Sequence, residues 1–283
     1  MDKGTFQVGV NYDYNNLNTL NEGSNKLSDA SRKRVTNSYL LSLGYNITNN
    51  WTVEGMFTWV NQKREVFSAF GTSLSETSGF GDFIILSKYQ YLNKNDFKGA
   101  FGFGFKLPTG RHDIKNSQGI AYNADLQPGT NTLDYLFLTS LSKKFEFRKS
   151  FVLSTRLIYR LTGVNDEYQK VNMYKFGNEL QVFLTGSDQF ILLKQLIDTA
   201  LGVKYRKVDF DSINNNPIPN TGGEWFFLIP SVSYNLNSNT RLNLSTEIPI
   251  FSKVNGIQLT PTNRLTIGVV VEMFKSNSLN KYL

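Results

Sequence analysis

Apolar side chains recur at every second position from residue 83 to residue 107, and this alternation constrains the chain more than any other feature. Phe83, Ile85, Tyr89 and Tyr91 lead into the turn Asn93-Lys94-Asn95-Asp96, after which Phe97, Gly99, Phe101, Phe103, Phe105 and Leu107 continue the pattern. The intervening positions of the second arm are Lys98, Ala100, Gly102, Gly104 and Lys106. A strand sends successive side chains to opposite faces. One face of this hairpin is therefore an aromatic wall, and the other is small or charged. A soluble sheet buries such a wall under a second layer. A membrane barrel shows it to lipid and turns the small, charged face to a lumen.

Composition separates these outcomes. Mean hydropathy is -0.30, and no apolar run is long enough for a membrane-crossing helix. Yet 22 Phe and 14 Tyr are present among 283 residues. Low mean hydropathy with many aromatics suits strands that have one wet face. There is no cysteine and one histidine, which predicts neither disulfides nor a metal centre, and no cofactor. The net charge of +7 is spread along the chain apart from Arg32-Lys33-Arg34 and Lys143-Lys144, which argues against a nucleic-acid surface. No apolar signal segment precedes the first strand, so export requires a signal already removed.

In order, strands are expected at 5–14, 39–47, 51–60, the two arms of 83–107, 133–145, 151–161, 174–184, 196–210, 225–235, 240–251 and 265–274. Segments 15–34, 61–78, 108–130, 163–170, 211–223 and 253–261 read as loops. The stretch 186–195 reads least clearly, and Phe190, Leu193, Leu196 and Ile197 have helical spacing. Short turns are expected near 48, 94, 147, 188 and 237. Their alternation with long polar loops predicts an all-β fold: a transmembrane up-and-down antiparallel β-barrel of about 12 strands, with short periplasmic turns and long extracellular loops. Residues 1–274 form the barrel in this reading and 275–283 a polar tail. Aromatics beside the short turns (Tyr45, Trp51, Tyr91, Phe97, Phe145, Phe151, Tyr234) fit an interfacial girdle.

The same parity assigns a lumen. Its charged or selectivity positions are Asp82, Lys88, Lys106, Asp134, Arg156, Arg160, Lys204 and Arg206; Glu54, Lys98, Lys175, Glu179, Asp198, Arg241, Glu247 and Arg264 share that face. Hairpin arithmetic sets Asp82 opposite Lys106 and Asp134 opposite Arg160. Such pairs either brace the wall or act as a fixed-charge filter, and the basic excess in the set predicts a mild anion preference. Ile84, Leu86, Leu136 and Leu138 face inward and narrow the lumen. A catalytic site is not expected, because His112 lies in a long loop without a partner set.

The segments Gly79-Phe80-Gly81-Asp82, Lys106-Leu107-Pro108-Thr109-Gly110, Gln127-Pro128-Gly129-Thr130-Asn131-Thr132-Leu133-Asp134, Asn220-Thr221-Gly222-Gly223 and Val254-Asn255-Gly256-Ile257-Gln258-Leu259 together resemble the bacterial transporter family named for the "MetA-pathway of phenol degradation". The resemblance covers roughly residues 75 to 274. Asn131 departs from it where a second glycine is expected, and the first 75 residues carry no matching motif. It implies a barrel in the outer membrane of a Gram-negative bacterium that passes small, often hydrophobic compounds. Two functions follow as expectations. One is a narrow channel for small solutes, partly hydrophobic or anionic. The other is a plugged structural or assembly barrel whose extracellular loops dock a glycan or a protein partner in a larger outer-membrane complex.

Overall fold

The computed structural model describes residues 2–192 and 195–273. Twelve strands form one closed antiparallel barrel. They are β1 (Phe6–Leu17), β2 (Arg32–Asn46), β3 (Trp51–Ser68), β4 (Gly71–Phe80 and Phe83–Lys94, interrupted at Gly81 and Asp82), β5 (Phe97–Leu107), β6 (Asp134–Phe145), β7 (Arg148–Leu161), β8 (Glu179–Leu192), β9 (Gln195–Val208), β10 (Gly223–Asn235), β11 (Thr240–Val254) and β12 (Asn263–Met273). Each pairs with its neighbours in sequence, and β1 closes the ring on β12 from Phe6 opposite Met273 to Asn16 opposite Asn263.

The parity read from the sequence holds. On β5, Phe101 and Phe103 are exposed on the outer surface, while Gly102, Gly104 and Lys106 are buried inside. Outward aromatics gather at the short-turn end, where Phe145, Phe147 and Phe151 lie with ring centroids 5.6–5.8 Å apart. Trp51 Nε1 there donates to Ser87 Oγ at 2.6 Å. The β4–β5 turn centres on Asn95 and Asp96, both at positive φ (51° and 63°), as a tight hairpin with right-twisted strands requires.

Two hairpin registers differ from simple arithmetic by two residues. Lys106 lies opposite Ile84 rather than Asp82, and a one-residue bulge interrupts the ladder between Gln90 and Leu92. Arg160 lies opposite Leu136 rather than Asp134, beyond an irregularity between Arg148 and Val152. A shift of two preserves the facing of every side chain, whereas a shift of one reverses it.

The boundaries differ more at the strand ends. Residues 61–78, expected as a loop, continue β3 and begin β4, paired from Trp59 opposite Phe80 to Ser68 opposite Gly71. These strands stand beyond the apolar band, where the outer face meets water and the inner face meets a loop through polar Gln62 and Thr77, so hydrophobic alternation has no cause. The strand expected at 174–184 is instead β8, Glu179–Leu192. Asp188, near which a turn was expected, is paired with Thr199, and Phe190 and Ile197 pair across strands rather than sharing a helix. Residues 172–175 join an extracellular sheet of Val164–Tyr168, Asn172–Lys175, Ser212–Ile213 and Asn216–Pro217, so Lys175 lies in this cap and not in the lumen. A second cap sheet comprises Thr19–Glu22, Asn25–Lys26 and Ile257–Thr260. The tail expected at 275–283 lies outside the described residues.

Single cysteines replacing Lys98 or Ala100 are expected to react with a membrane-impermeant maleimide in the folded barrel, and cysteines replacing Phe101 or Phe103 to remain protected in lipid. The opposite pattern of labelling overturns the assigned faces.

Candidate functional site: the lumen and its extracellular mouth

The break in β4 organises the mouth. Gly81 leaves the sheet ladder, and its N–H donates to Thr58 O at 2.8 Å. Asp82 then turns inward and accepts four hydrogen bonds, from Gly110 N (3.0 Å), Thr130 N (2.9 Å), Thr130 Oγ1 (2.7 Å) and Lys106 Nζ (2.7 Å). Thr109 Oγ1 accepts from Phe83 N at 2.9 Å. The three sequence motifs at 79–82, 106–110 and 127–134 are thus one knot that fastens both ends of the 108–133 loop to the broken strand. Gly110 sits where a Cβ would lie 2.7 Å from both Gly129 Cα and Gly81 C, so only glycine permits this approach. Asn131 has φ of 55°. That left-handed conformation suits glycine, and asparagine tolerates it better than other side chains.

The loop held by this knot lies across the mouth. Leu126, in a short 3-10 turn (Ala124–Leu126), is fully buried. Its carbonyl accepts from Gln62 Nε2 (3.2 Å) and from Thr77 Oγ1 on the extended β3–β4 hairpin. Asp125 pairs with Arg34 of β2 at 2.9 Å and lies 3.8 Å from Arg64 of β3. On the other side, Asn131 Nδ2 donates to Asn165 Oδ1 at 3.1 Å and Asn165 Nδ2 to Thr130 O at 3.3 Å. The 108–133 loop therefore bridges from the β2–β4 wall to the cap that follows β7. His112 is part of this loop, with Nδ1 3.3 Å from Gly110 O.

Below the loop a belt of alternating charge lines the wall. Lys106 lies between Asp82 (2.7 Å) and Asp134 (3.2 Å). Arg160 lies 3.7 Å from both Asp134 and Glu179, and Glu179 accepts from Arg206 at 2.6 Å. Lys204 pairs with Glu247 at 2.9 Å, Glu247 lies 3.9 Å from Arg264, and Arg264 pairs with Asp13 at 2.7 Å. On β10, which contributes no charge to the belt, Trp225 and Phe227 present their rings to Arg206 (5.2 Å) and Lys204 (4.9 Å). Five carboxylates thereby meet five cations, and the basic excess expected of the lumen is cancelled at this level. Of the six basic positions named from the sequence, Lys88 pairs with Glu54 and four belong to the belt. Arg156 rests instead on the Phe183 ring at 4.6 Å.

Between the belt and the periplasmic turns the two walls differ. Ile84 and Leu86 on β4, Leu136 and Leu138 on β6, Ile158 on β7 and Phe183 on β8 face inward, alternating with outward Ile85, Phe137 and Leu157. The facing wall is more mixed, with Gly9 and Asn11 on β1, Ser42 and Gly44 on β2, and Gly268 on β12 beside Leu40 and Val270. Trp225, Phe227 and Val254, each at most 5% exposed, form a further apolar cluster with Val208 and Ile229. Asp13, Phe183, Trp225 and Phe227 are lumen residues that sequence reasoning missed. The uninterrupted run Trp225-Phe226-Phe227-Leu228-Ile229 was the available signal, because a strand apolar on both faces loses its alternation.

In the extracellular cap, Tyr174 donates to Asp211 at 2.6 Å and Gly177 N to the same carboxylate at 2.7 Å. Burial raises the Asp211 pKa above the ordinary carboxylate range, and burial beside Asp211 raises that of Tyr174. A raised carboxylate contributes stability that is complete below its unfolded pKa and is lost as pH rises through the folded one. Asp211→Asn is therefore expected to flatten the cap's pH dependence above about pH 4, read as hydrogen exchange of the Asn172–Lys175 strand. An unchanged profile overturns this assignment.

Lys106→Met leaves Asp82 buried without a cation and Asp134 with Arg160 alone, at 3.7 Å. The expected loss is about 3–5 kcal/mol in urea unfolding from vesicles. A loss under about 1 kcal/mol, the range of an exposed pair, overturns the view that the cluster is a buried brace.

Residues 56–248 match the family described as "Putative MetA-pathway of phenol degradation". Among solved structures, the fold is similar to that of the COG4313 outer membrane channel from Pseudomonas putida F1, with a TM-score of 0.74 at 16% identity over 96% of this chain and 97% of that one. It is also similar to the β-domain of the Bordetella autotransporter BrkA, with a TM-score of 0.54 at 10% identity over 96% of this chain and 100% of that one. The NanC porin gives a TM-score of 0.50 at 12% identity over 95% of this chain and 100% of that one. No curated protein sequence matches the chain.

Proposed function

The chain belongs to the family matched over 56–248 and is a β-barrel of the bacterial outer membrane, and from that premise we propose that it is a narrow channel for small solutes with an apolar body. The observation that carries this reading is the two-sided lumen. A lumen built only for water and ions has no use for Ile84, Leu86, Leu136, Leu138, Ile158 and Phe183 on one continuous inner wall. A solute with an apolar body gains by sliding along that wall, at roughly 25 cal/mol for each Å² it removes from water. The facing wall, richer in glycine, serine and asparagine, keeps water alongside it.

Selectivity in this reading comes less from the belt than from what the belt leaves over. Asp82, Lys106, Asp134, Arg160, Lys204 and Arg206 are taken up in pairs, so they brace the wall and hold the loop. Of those named selectivity positions Arg156 is the cation left to favour anions, with Lys98 beside it at the rim. The 108–133 loop sets the width of the mouth, because Leu126 and Asp125 are fastened across it.

The same fastening favours a second reading, a plugged barrel whose caps dock a glycan or protein partner. Single-channel recording in planar bilayers separates the two. The wild type is expected to show a small steady conductance with an anion-leaning reversal potential in a KCl gradient. Arg34→Ser, which frees Asp125, is expected to raise the conductance or make it flicker. A tight seal from both proteins sinks the channel reading and favours the plug.

A further inference from the structure

We propose that the periplasmic vestibule of the lumen is a binding site for a small amphiphilic carboxylate, with Arg156 as the residue that receives the carboxylate group. A cavity of about 550 Å³ opens here, lined by the β2–β3 turn (Asn49, Asn50) and by inward side chains of β4 to β8. That volume lies in the range of small-molecule sites.

Its chemistry is that of an unfilled anion site. Among the described residues, Arg156 makes no ion pair and no hydrogen bond. Its guanidinium carbon lies 4.6 Å from the centroid of the Phe183 ring, and the side chain is exposed. The neighbouring cation Lys88 is neutralised by Glu54, whereas Lys98 at the rim has no carboxylate partner among the described residues. The vestibule is therefore positive by two charges, from Arg156 and Lys98. Ser140, Ser142 and Thr185 add hydroxyl donors to the same wall. Leu138, which also lines the cavity, begins the apolar wall that leads to the mouth.

A planar fork with adjacent hydroxyls matches a carboxylate, which accepts two parallel N–H bonds. The apolar floor matches the body behind it. Inorganic anions and acetate satisfy the first feature only, and neutral alcohols the second only. The assignment rests on the channel reading for its solute, but its binding step is measured without conduction.

The experiment is calorimetric titration of the refolded full chain in detergent with benzoate, acetate and benzyl alcohol, with heat-modifiable gel mobility to verify folding of each variant. Benzoate is expected to bind the wild type more tightly than either comparator. Arg156→Gln is expected to weaken it by about tenfold or more, and Arg156→Lys to retain part of the affinity. Equal benzoate affinity in wild type and Arg156→Gln, or benzyl alcohol binding as tightly as benzoate, overturns the site. Arg156-dependent benzoate binding in a barrel that never conducts supports the site and sinks the channel reading. Conduction without such binding does the reverse.

Discussion

Hydrocarbon offers no hydrogen bond to a strand edge, and that one constraint organises the barrel. Each unpaired backbone group in a bilayer costs several kcal/mol. The sheet must therefore close, and here it closes through the register of β1 against β12, continuous from Phe6 to Asn16. Closure makes the two faces of every strand unequal, because one meets lipid and the other a narrow interior. The phenylalanines of β5 and the charges of the inner belt are two consequences of the same ring.

A closed wall still leaves the ends of its strands to be tied. The carboxylates of the belt do this as well as carrying charge. Asp82 holds Gly110 and Thr130, and Asp134 accepts from Thr132 Oγ1 at 2.7 Å and from Gly163 N at 3.0 Å. Each thus joins a strand end to the loop that leaves it. Lys106 neutralises both while almost fully buried. Buried pairs contribute little net stability beside an apolar substitute, yet losing one partner is costly. Such a cluster secures a single geometry of the mouth more than it adds strength.

The cap follows the same logic at longer range. Gln258 Nε2 donates to Gly222 O at 2.8 Å, and Asn255 Nδ2 to Thr221 O at 3.0 Å. The two last motifs, whose contacts span 34 and 36 residues of chain and which are individually modest, are therefore halves of one contact between the loops flanking β10 and β11. What looked like five separate signatures is two knots that fasten extracellular loops onto the rim. The width of the lumen depends on the first of them, since the 108–133 loop crosses the mouth from that anchor.

The sequence by itself determined the fold class, the number of barrel strands and the facing of their side chains. Period-two alternation is a local property, and the facing read from it survived two misplaced hairpin registers because each actual pairing differs from the expected one by two residues. It also marked the anchors, through Asp82, Gly110 and Asp134. Only the tertiary structure decided where strands end outside the bilayer, as at 61–78, because a hairpin with polar residues on both faces carries no hydrophobic pattern. It alone decided which charges cancel. Asp13 meets Arg264 only once the ring has closed, and Lys204 reaches Glu247 only across β10; an ion pair depends on distance in space, which separation along the chain does not report. Arg156 was legible as an inward cation. That it is left over, stacked on Phe183 above an open vestibule, became visible only when every other partner had been placed.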